Sequence, residues 1–425
     1  GKLKKYLKYF ILSISMILSL MELFIIGKYY TFTTAGIISV IIGTNLRETI
    51  EFITMYFSWS YLIFIIILVL GIYLLNRISK KIKLNNKLVI LFLPYFCLYS
   101  LFYVIIPGKN LTECMTFTRL MAPVEQAVED AIAFHEIYTN MQNNVQIVDK
   151  GRDIPNIVFI LGESTNRNHM HLYGYYLPNT PNLDALNEKG EISVFRDVVS
   201  PHSTTIAVLS KLFTFCNRES DQEWYHYNNL IDVMNAAGYK THWLSNQETS
   251  GVWGNVAQIY AAHSDVSAFT RIRDSREDYG IVDGELFPLI DDAIANRSED
   301  KNFYVVHLMG GHGLYYNRFP YSFSKFSKDD INLPITDGKK EIVAQYDNAL
   351  YYNDYIVSSI IDKFRDSETL VIYVPDHGEA VYDEGEDMSG HIEENPTHHM
   401  IEIPVIMWAS EKFRAKYPEK WEELK

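Results

Sequence analysis

The chain is poor in cysteine and has no surplus of positive charge. Its 425 residues include only Cys97, Cys114 and Cys216. None of these form a closely spaced pair, which excludes a thiolate-built metal site. Cys97 lies in an apolar run. Cys114 and Cys216 allow one disulfide if this part of the chain is exported. Lys and Arg number 38 against 52 Asp and Glu, a formal charge of −14. That balance argues against a nucleic-acid partner, which calls for a basic surface. Internal repeats and low-complexity segments are also absent.

What is present is unevenly spread. The length suits two domains. The N-terminal part is crowded with Ile, Leu, Phe and Tyr, whereas the remainder reads as an ordinary soluble domain. Three apolar segments, 9–26, 59–75 and 88–106, are long enough to cross a bilayer, which takes about 20 residues. Lys2, Lys4, Lys5 and Lys8 precede the first, and Arg77, Lys80, Lys81, Lys83 and Lys87 fill the loop between the second and third. The positive-inside rule places both basic stretches in the cytoplasm. The expected path is therefore outward, back and outward again, with everything after about residue 107 outside the cytoplasm. A cleaved signal peptide is the weaker reading of the first segment, because no small-residue cleavage site is evident and two further spans follow.

The outer segment 31–58 holds Gly43-Thr44-Asn45-Leu46-Arg47-Glu48. Asn45 or Thr44 can cap a helix there. Ile50, Ile53 and Phe57 then share one face, as in an interfacial helix. The segment either lies passively at the lipid surface, or Thr44, Asn45 and Glu48 bind a lipid headgroup carrying an amine. Residues 107–153 read as a connector, opened by Pro107-Gly108 and with helical spacing over 122–140.

From 154 onward, strand-like runs at 157–161, 241–244, 302–307, 370–374 and 405–408 alternate with helical patterns at 205–214, 230–237 and 341–364. That alternation predicts an α/β domain with a mostly parallel sheet. Such sheets place their chemistry just beyond the carboxyl ends of the strands. The run Val371–Val374 passes through Pro375 into Asp376-His377-Gly378-Glu379, and Asn156–Gly162 runs into Glu163-Ser164-Thr165. Glu, Asp and His delivered by two strand ends suit a borderline divalent metal such as zinc. An unpaired carboxylate there would be costly, which favours the metal reading for Asp376 and His377. Glu163-Ser164-Thr165 reads equally well as a helix-capping cluster.

Two further segments belong with these. Ser203-Thr204-Thr205 leads into an apolar helical run. It reads as a capping cluster, or as a hydroxyl nucleophile among free backbone N–H groups that favour phosphate. Gly310-Gly311-His312-Gly313 follows a strand, and its glycines let the backbone approach a ligand. His391, in a loop rich in Asp, Glu and Gly, can meet a phosphate or a second metal, with His398 and His399 as nearby alternatives.

These residues together resemble the bacterial phosphoethanolamine transferases, membrane enzymes of the alkaline phosphatase and sulfatase superfamily. The resemblance is carried by Gly162-Glu163-Ser164, Tyr173-Gly174-Tyr175 with Thr180-Pro181-Asn182-Leu183, Ser203-Thr204-Thr205, Gly311-His312-Gly313, Tyr346-Asp347-Asn348-Ala349-Leu350 and Asp376-His377-Gly378-Glu379, in that order. Thr44-Asn45 with Glu48 extends it into the membrane half. The resemblance implies zinc bound by Glu163, Asp376, His377 and the Thr205 hydroxyl. Thr205 would be the nucleophile that carries phosphoethanolamine. His312 and His391 would hold the phosphate or a second zinc, and Thr44 and Glu48 would meet the lipid donor.

The implied architecture is an α-helical transmembrane domain over 1–106, a connector over 107–153 and an alkaline-phosphatase-like catalytic domain over 154–425. The implied location is the bacterial inner membrane, multi-pass, with the catalytic domain in the periplasm. The donor would be phosphatidylethanolamine and the acceptor lipid A, core or another lipid-anchored glycan. The chain departs from the family in lacking its several disulfides and in showing three spans where about five are usual. The family also usually continues with more helix after the last strand. The expectation is that the family's first spans lie outside this chain and that its C-terminal end is also cut short.

A phosphoglycerol transferase of the same superfamily is the alternative. A sulfatase would need Cys or Ser followed by x-Pro-x-Arg, whereas Thr205 is followed by Ile206-Ala207-Val208-Leu209. A non-catalytic membrane sensor is disfavoured by the intact Glu, Thr, Asp and His set.

Overall fold

The computed structural model describes residues 2–29, 46–56 and scattered positions up to 148, then 154–247, 256–270, 281–298, 300–383 and 388–424. The chain divides into two compact units, 1–42 with 49–130 and 43–48 with 131–425. In the first, α1 (Lys2–Tyr29) meets the aromatic residues of α2 (Leu46–Tyr56). Phe24 packs edge-on to Phe52 at 5.8 Å and Tyr29 to Tyr56 at 6.4 Å. Ile50 and Ile53 of α2 stay exposed. The expected helix after Thr44 therefore forms, while Phe57 lies outside the described residues.

Among the described residues no helix is long and apolar enough to cross a membrane. The expected first span falls within α1, the second is described only in part, and the third, 88–106, lies outside the described residues. Cys216 is a buried free thiol, and its expected partner Cys114 also lies outside the described residues.

The second unit is built on a seven-stranded sheet. Its strands are β1 (Asn156–Gly162), β2 (Ile192–Phe195), β3 (Lys240–Ser245), β4 (Val266–Phe269), β5 (Asn302–His307), β6 (Thr369–Pro375) and β9 (Val405–Ala409), in the order β2-β9-β6-β1-β5-β3-β4. A separate two-stranded hairpin joins β7 (Ala380–Val381) to β8 (Ser389–Gly390). The helices are α3 (Pro181–Glu188), α4 (Thr205–Leu212), α5 (Leu230–Ala236), α6 (Val256–His263), α7 (Leu286–Ala295), α8 (Asp337–Lys363), α9 (His398–Ile401), α10 (Glu411–Lys416) and α11 (Pro418–Glu423).

Every pairing from β6 through β1, β5 and β3 to β4 is parallel, and β9 alone runs against its two neighbours. The inner strands are apolar nearly throughout, as a sheet covered on both faces requires. β5 is buried along its whole length. All five strands and all three helices expected from the sequence are present. The structure adds β2 and β4, each four residues long. They sit at the two edges of the sheet, where a short half-exposed strand carries too little apolar pattern to read.

One core lies between β1, β3, β5 and helices α4, α5 and α6, built on Phe159, Phe213, Trp243, Tyr260 and Phe303. A second joins Leu370 and Ala409 to Phe413, Tyr417 and Trp421. Those three aromatics recur every four residues, so the C-terminal helices lay one apolar stripe on the sheet. Each such buried side chain contributes about 1.5–3 kcal/mol.

Candidate active site

Parallel register brings the carboxyl ends of the central strands to one edge. Gly162 pairs with Pro375, Leu161 with His307, and Ser245 with His307. The residues just beyond those ends are Glu163, Asp376-His377, the 308–313 turn and Gln247. Adjacent strands lie about 4.8 Å apart, so their first free side chains meet. Two glycines permit the close backbone approach. Gly310 has φ +46, and a Cβ there would stand 2.5 Å from the Glu163 carbonyl oxygen; at Gly378 it would stand 2.2 Å from that of His399.

Glu163, Asp376 and His377 form a fully buried group whose ligand-type atoms lie within 4.8 Å of one another. His377 Nε2 is 3.5 Å from Glu163 Oε1 and 3.4 Å from Asp376 Oδ2. His377 Nδ1 lies 2.7 Å from the Gly378 carbonyl oxygen. That contact assigns the proton to Nδ1, leaving the Nε2 lone pair aimed at two carboxylates. Asp376 Oδ1 accepts from the backbone N–H of Ser164 and of His377, whereas the buried Oδ2 has no hydrogen-bond partner among the described residues. An orphan carboxylate oxygen, a second carboxylate and an imidazole lone pair facing one point repel one another unless a cation stands between them. Mixed O and N donors of this kind suit zinc and tolerate manganese.

The electrostatics point the same way. Burial, reinforced by Asp376, pushes the Glu163 carboxyl up to about 7. Burial also raises Asp376 and lowers His377, the latter to about 4. The protein alone thus resists the ionised carboxylates that the geometry presents, and a bound cation would relieve that resistance.

Thr205 opens α4, with its Oγ1 3.5 Å from Glu163 Oε2 and 3.3 Å from His377 Nε2. Its neighbours do other work. Thr204 is the N-cap residue, and Ser203 Oγ donates to the Ile392 carbonyl oxygen and Glu393. Of the three hydroxyls, Thr205 is the one in contact with the ligand-type residues. The first N–H groups of α4, which take no side-chain cap from Thr204, stand beside it, a setting that favours an anion.

A second group, His377, Glu379 and His391, adjoins the first. His391 Nδ1 is 2.7 Å from Glu379 Oε2, and Tyr315 Oη donates to Glu379 Oε1 at 2.6 Å. Burial pulls the His391 pKa down, but Glu379 outweighs it and holds the ring up at about 9. His391 is therefore a cation at neutral pH, beside the Thr205 site.

Glu163, Thr205, Asp376, His377 and His391 are thus brought together. His312 belongs to neither group, although the Gly310-Gly311 turn that carries it packs on the backbone of Glu163 and Ser164. His399 instead contacts Asn166 at 3.2 Å. Asn45 and the Glu48 side chain lie outside the described residues, and Thr44 is half-buried.

Three contributors carry no expected role from the sequence. Gln247 Nε2 donates to Glu163 Oε2 at 3.1 Å, and Ser164 Oγ donates to Oε1 at 2.7 Å. Glu379 holds His391. Ser164 and Glu379 had a usable signal, standing next to Glu163 and two residues after His377 in the strand-end motifs; Gln247 reaches the site from beyond β3, with no local pattern to mark it.

Residues 155–423 match the sulfatase family. Phosphoethanolamine transferase EptC of Escherichia coli is 33% identical over 276 residues, 64% of this chain and 48% of that protein. The chain thus spans about half the length of the curated relatives it matches. The C-terminal periplasmic domain of E. coli EptC, solved in complex with zinc, superposes with a TM-score of 0.60 at 32% identity, covering 64% of this chain and 77% of that one. The integral membrane lipooligosaccharide phosphoethanolamine transferase A of Neisseria meningitidis shares the fold over 97% of this chain and 80% of its own, with a TM-score of 0.68 at 22% identity. With its parallel sheet, its strand-end acid and histidine group and a matched region covering the whole α/β domain, the chain belongs to the sulfatase family, within a branch whose similar members are named phosphoethanolamine transferases.

Proposed function

We propose that this protein transfers phosphoethanolamine from phosphatidylethanolamine to lipid A, lipopolysaccharide core or a related envelope glycan, through a covalent adduct on Thr205. The observation that carries the reading is the Thr205 hydroxyl at the start of α4, 3.5 Å from Glu163 and 3.3 Å from His377. The names of the similar relatives support the same chemistry. Zinc held by Glu163, Asp376, His377 and Thr205 would supply a Lewis acid that lowers the pKa of the hydroxyl.

In the first step the Thr205 oxygen bonds to the phosphorus of the donor, and the bond to the diacylglycerol oxygen breaks. The hydroxyl proton is released and the diacylglycerol oxygen gains one. In the second step an acceptor oxygen bonds to the phosphorus and loses its proton, while the bond from Thr205 to the phosphorus breaks and the Thr205 oxygen regains a proton. The His391 cation, aided by His312, holds the non-bridging oxygens as charge builds on them. The first N–H groups of α4 face the same phosphate. Glu379 keeps His391 protonated and oriented.

The membrane half gives the donor and the first product a lipid phase to occupy. This reading places the apolar segments in the bacterial inner membrane and the catalytic domain in the periplasm. Thr44, Asn45 and Glu48 would read the amine of the headgroup.

Mass spectrometry of the purified protein after incubation with phosphatidylethanolamine tests the proposal. Peptide mapping should find phosphoethanolamine on Thr205. An adduct on Thr204 or Ser203 would move the assignment, and a preference for phosphatidylglycerol in the same assay would replace the donor.

A further inference from the structure

Outside the site, the least expected arrangement is a buried histidine between two aspartates. His169 is 2% exposed, in the short turn that follows β1 by a few residues. Its Nδ1 is 2.9 Å from Asp347 Oδ1 on α8, and its Nε2 is 2.8 Å from Asp383 Oδ1 on the β7–β8 hairpin. A neutral imidazole donates from only one nitrogen. Two contacts this short to two carboxylates are both met when each nitrogen carries a proton.

The other oxygens of the pair are also acceptors: Asp347 Oδ2 takes the Tyr175 hydroxyl at 3.0 Å, and Asp383 Oδ2 takes the Val381 N–H at 2.7 Å. The rings of Tyr175 and Tyr346 wall the histidine at 4.7 and 5.4 Å, and His399 Nδ1 stands 3.9 Å from Asp383 Oδ2.

The placement matters because of what the hairpin carries. Glu379 immediately precedes β7 and His391 immediately follows β8. The hairpin itself is held by two register pairs, Ala380↔Gly390 and Val381↔Ser389. A ribbon that short does not fix its own position.

We propose that His169 is a positioning residue, a cationic clasp that ties the β7–β8 hairpin to α8 and so holds Glu379 and His391 against the Thr205 site. A clasp made of three buried charges is a poor way to gain stability, since apolar packing would serve as well or better. It does fix one geometry. Burial alone would pull the His169 pKa down; the two aspartates outweigh that and hold it up at about 10. The clasp therefore stays closed across the physiological range.

The activity arm of the test rests on the transferase reading above; a second arm does not. In the full chain, His169→Gln should keep its zinc and its fold. The rate of Thr205 adduct formation at saturating phosphatidylethanolamine should fall roughly tenfold or more with little change in KM, the usual effect of losing an outer-shell support. His169→Arg, whose guanidinium donates to both carboxylates, should recover most of that loss. Hydrogen exchange should rise about tenfold in peptides covering the hairpin, and not in α8, for His169→Gln.

Wild-type turnover in a folded His169→Gln, or equal loss in a folded His169→Arg, overturns the clasp. If His169→Gln does not fold, Asp383→Asn replaces it: the same loss with zinc retained supports the clasp, and wild-type turnover overturns it. If the wild-type chain forms no adduct at all, the transferase reading fails. The exchange arm then decides the clasp, with unchanged hairpin exchange counting against it.

Discussion

Glu163 and Asp376 stand just beyond two adjacent parallel strands, locked by seven register pairs from Asn156↔Thr369 to Gly162↔Pro375. Glu379 and His391, on the other side of the shared His377, flank a hairpin with two such pairs. The first group is positioned by main-chain hydrogen bonds that any correctly folded sheet must make. The second is positioned by side chains: Tyr315 on Glu379, Glu379 on His391 and His169 on Asp383. The candidate metal ligands Glu163 and Asp376 thus sit on the rigid element, and Glu379 and His391 sit on the adjustable one. Damage to the two should differ in kind as well as in size.

Thr205→Ala should have the largest effect. Removing a nucleophile costs on the order of 10⁴-fold or more. The Glu163, Asp376 and His377 donors should remain, so zinc should largely stay. Peptide mapping and zinc analysis of the same sample check both halves, and full activity would end the assignment. Asp376→Ala should abolish turnover by another route, because zinc itself is lost. Equal zinc in wild type and Asp376→Ala by elemental analysis would dissolve the strand-end metal site. Glu379→Gln probes the hairpin side. It should retain zinc and lose about 10- to 100-fold in rate, as for outer-shell partners elsewhere. Zinc loss as large as in Asp376→Ala would erase the distinction between the groups.

pH sharpens the contrast in the metal-free protein. Glu163 titrates near 7 in the fold against 4.5 for the free group. Between those values the folded state holds more protons than the unfolded one, so this group lowers stability as pH rises. His391 slopes the same way in a higher pH window, where the stability contributed by its charged form is lost. Its pKa is raised to about 9, so its contribution is complete below about 6.5 and is lost as pH passes 9. Melting curves of chelated protein should therefore show Glu163 eroding Tm from about pH 4.5 to 7, with zinc restoring it at pH 7. A further decline should appear towards pH 9, and it should be missing in Glu379→Gln. Glu48→Gln should have the smallest effect, a loss of up to about fivefold in use of phosphatidylethanolamine, in keeping with the loss of one ion pair to the headgroup. Zinc content and reactivity toward a small soluble phosphodiester should be unchanged. Unaltered donor use would remove the headgroup role and leave the Thr205 chemistry standing.

The sheet and its strand-end residues were legible because periodicity is a local property. Val158–Leu161 and Leu370–Tyr373 announce buried strands, and Glu163 and Asp376-His377 are charged residues placed where such strands stop. The edge strands β2 and β4 were not legible, since four half-buried residues carry no distinct period. The choice among Ser203, Thr204 and Thr205 stayed open on residue chemistry, because all three are equally good hydroxyls at a helix start. Only their contacts separate them, Ser203 facing Ile392 and Thr205 facing Glu163.

By itself the sequence determined the α/β class, the acidic and apolar division of the chain and the strand-end residues, all of which follow from spacing along one dimension. The tertiary structure decided which hydroxyl faces the metal-type group, that Gln247 reaches Glu163, that Glu379 holds His391 beside it, and that His169 lies between Asp347 and Asp383. These contacts join residues far apart in the chain, 84 positions in the case of Glu163 and Gln247 and 214 for His169 and Asp383. No local pattern encodes such a meeting, because it exists only once the sheet register and the packing of α8 have brought the segments together.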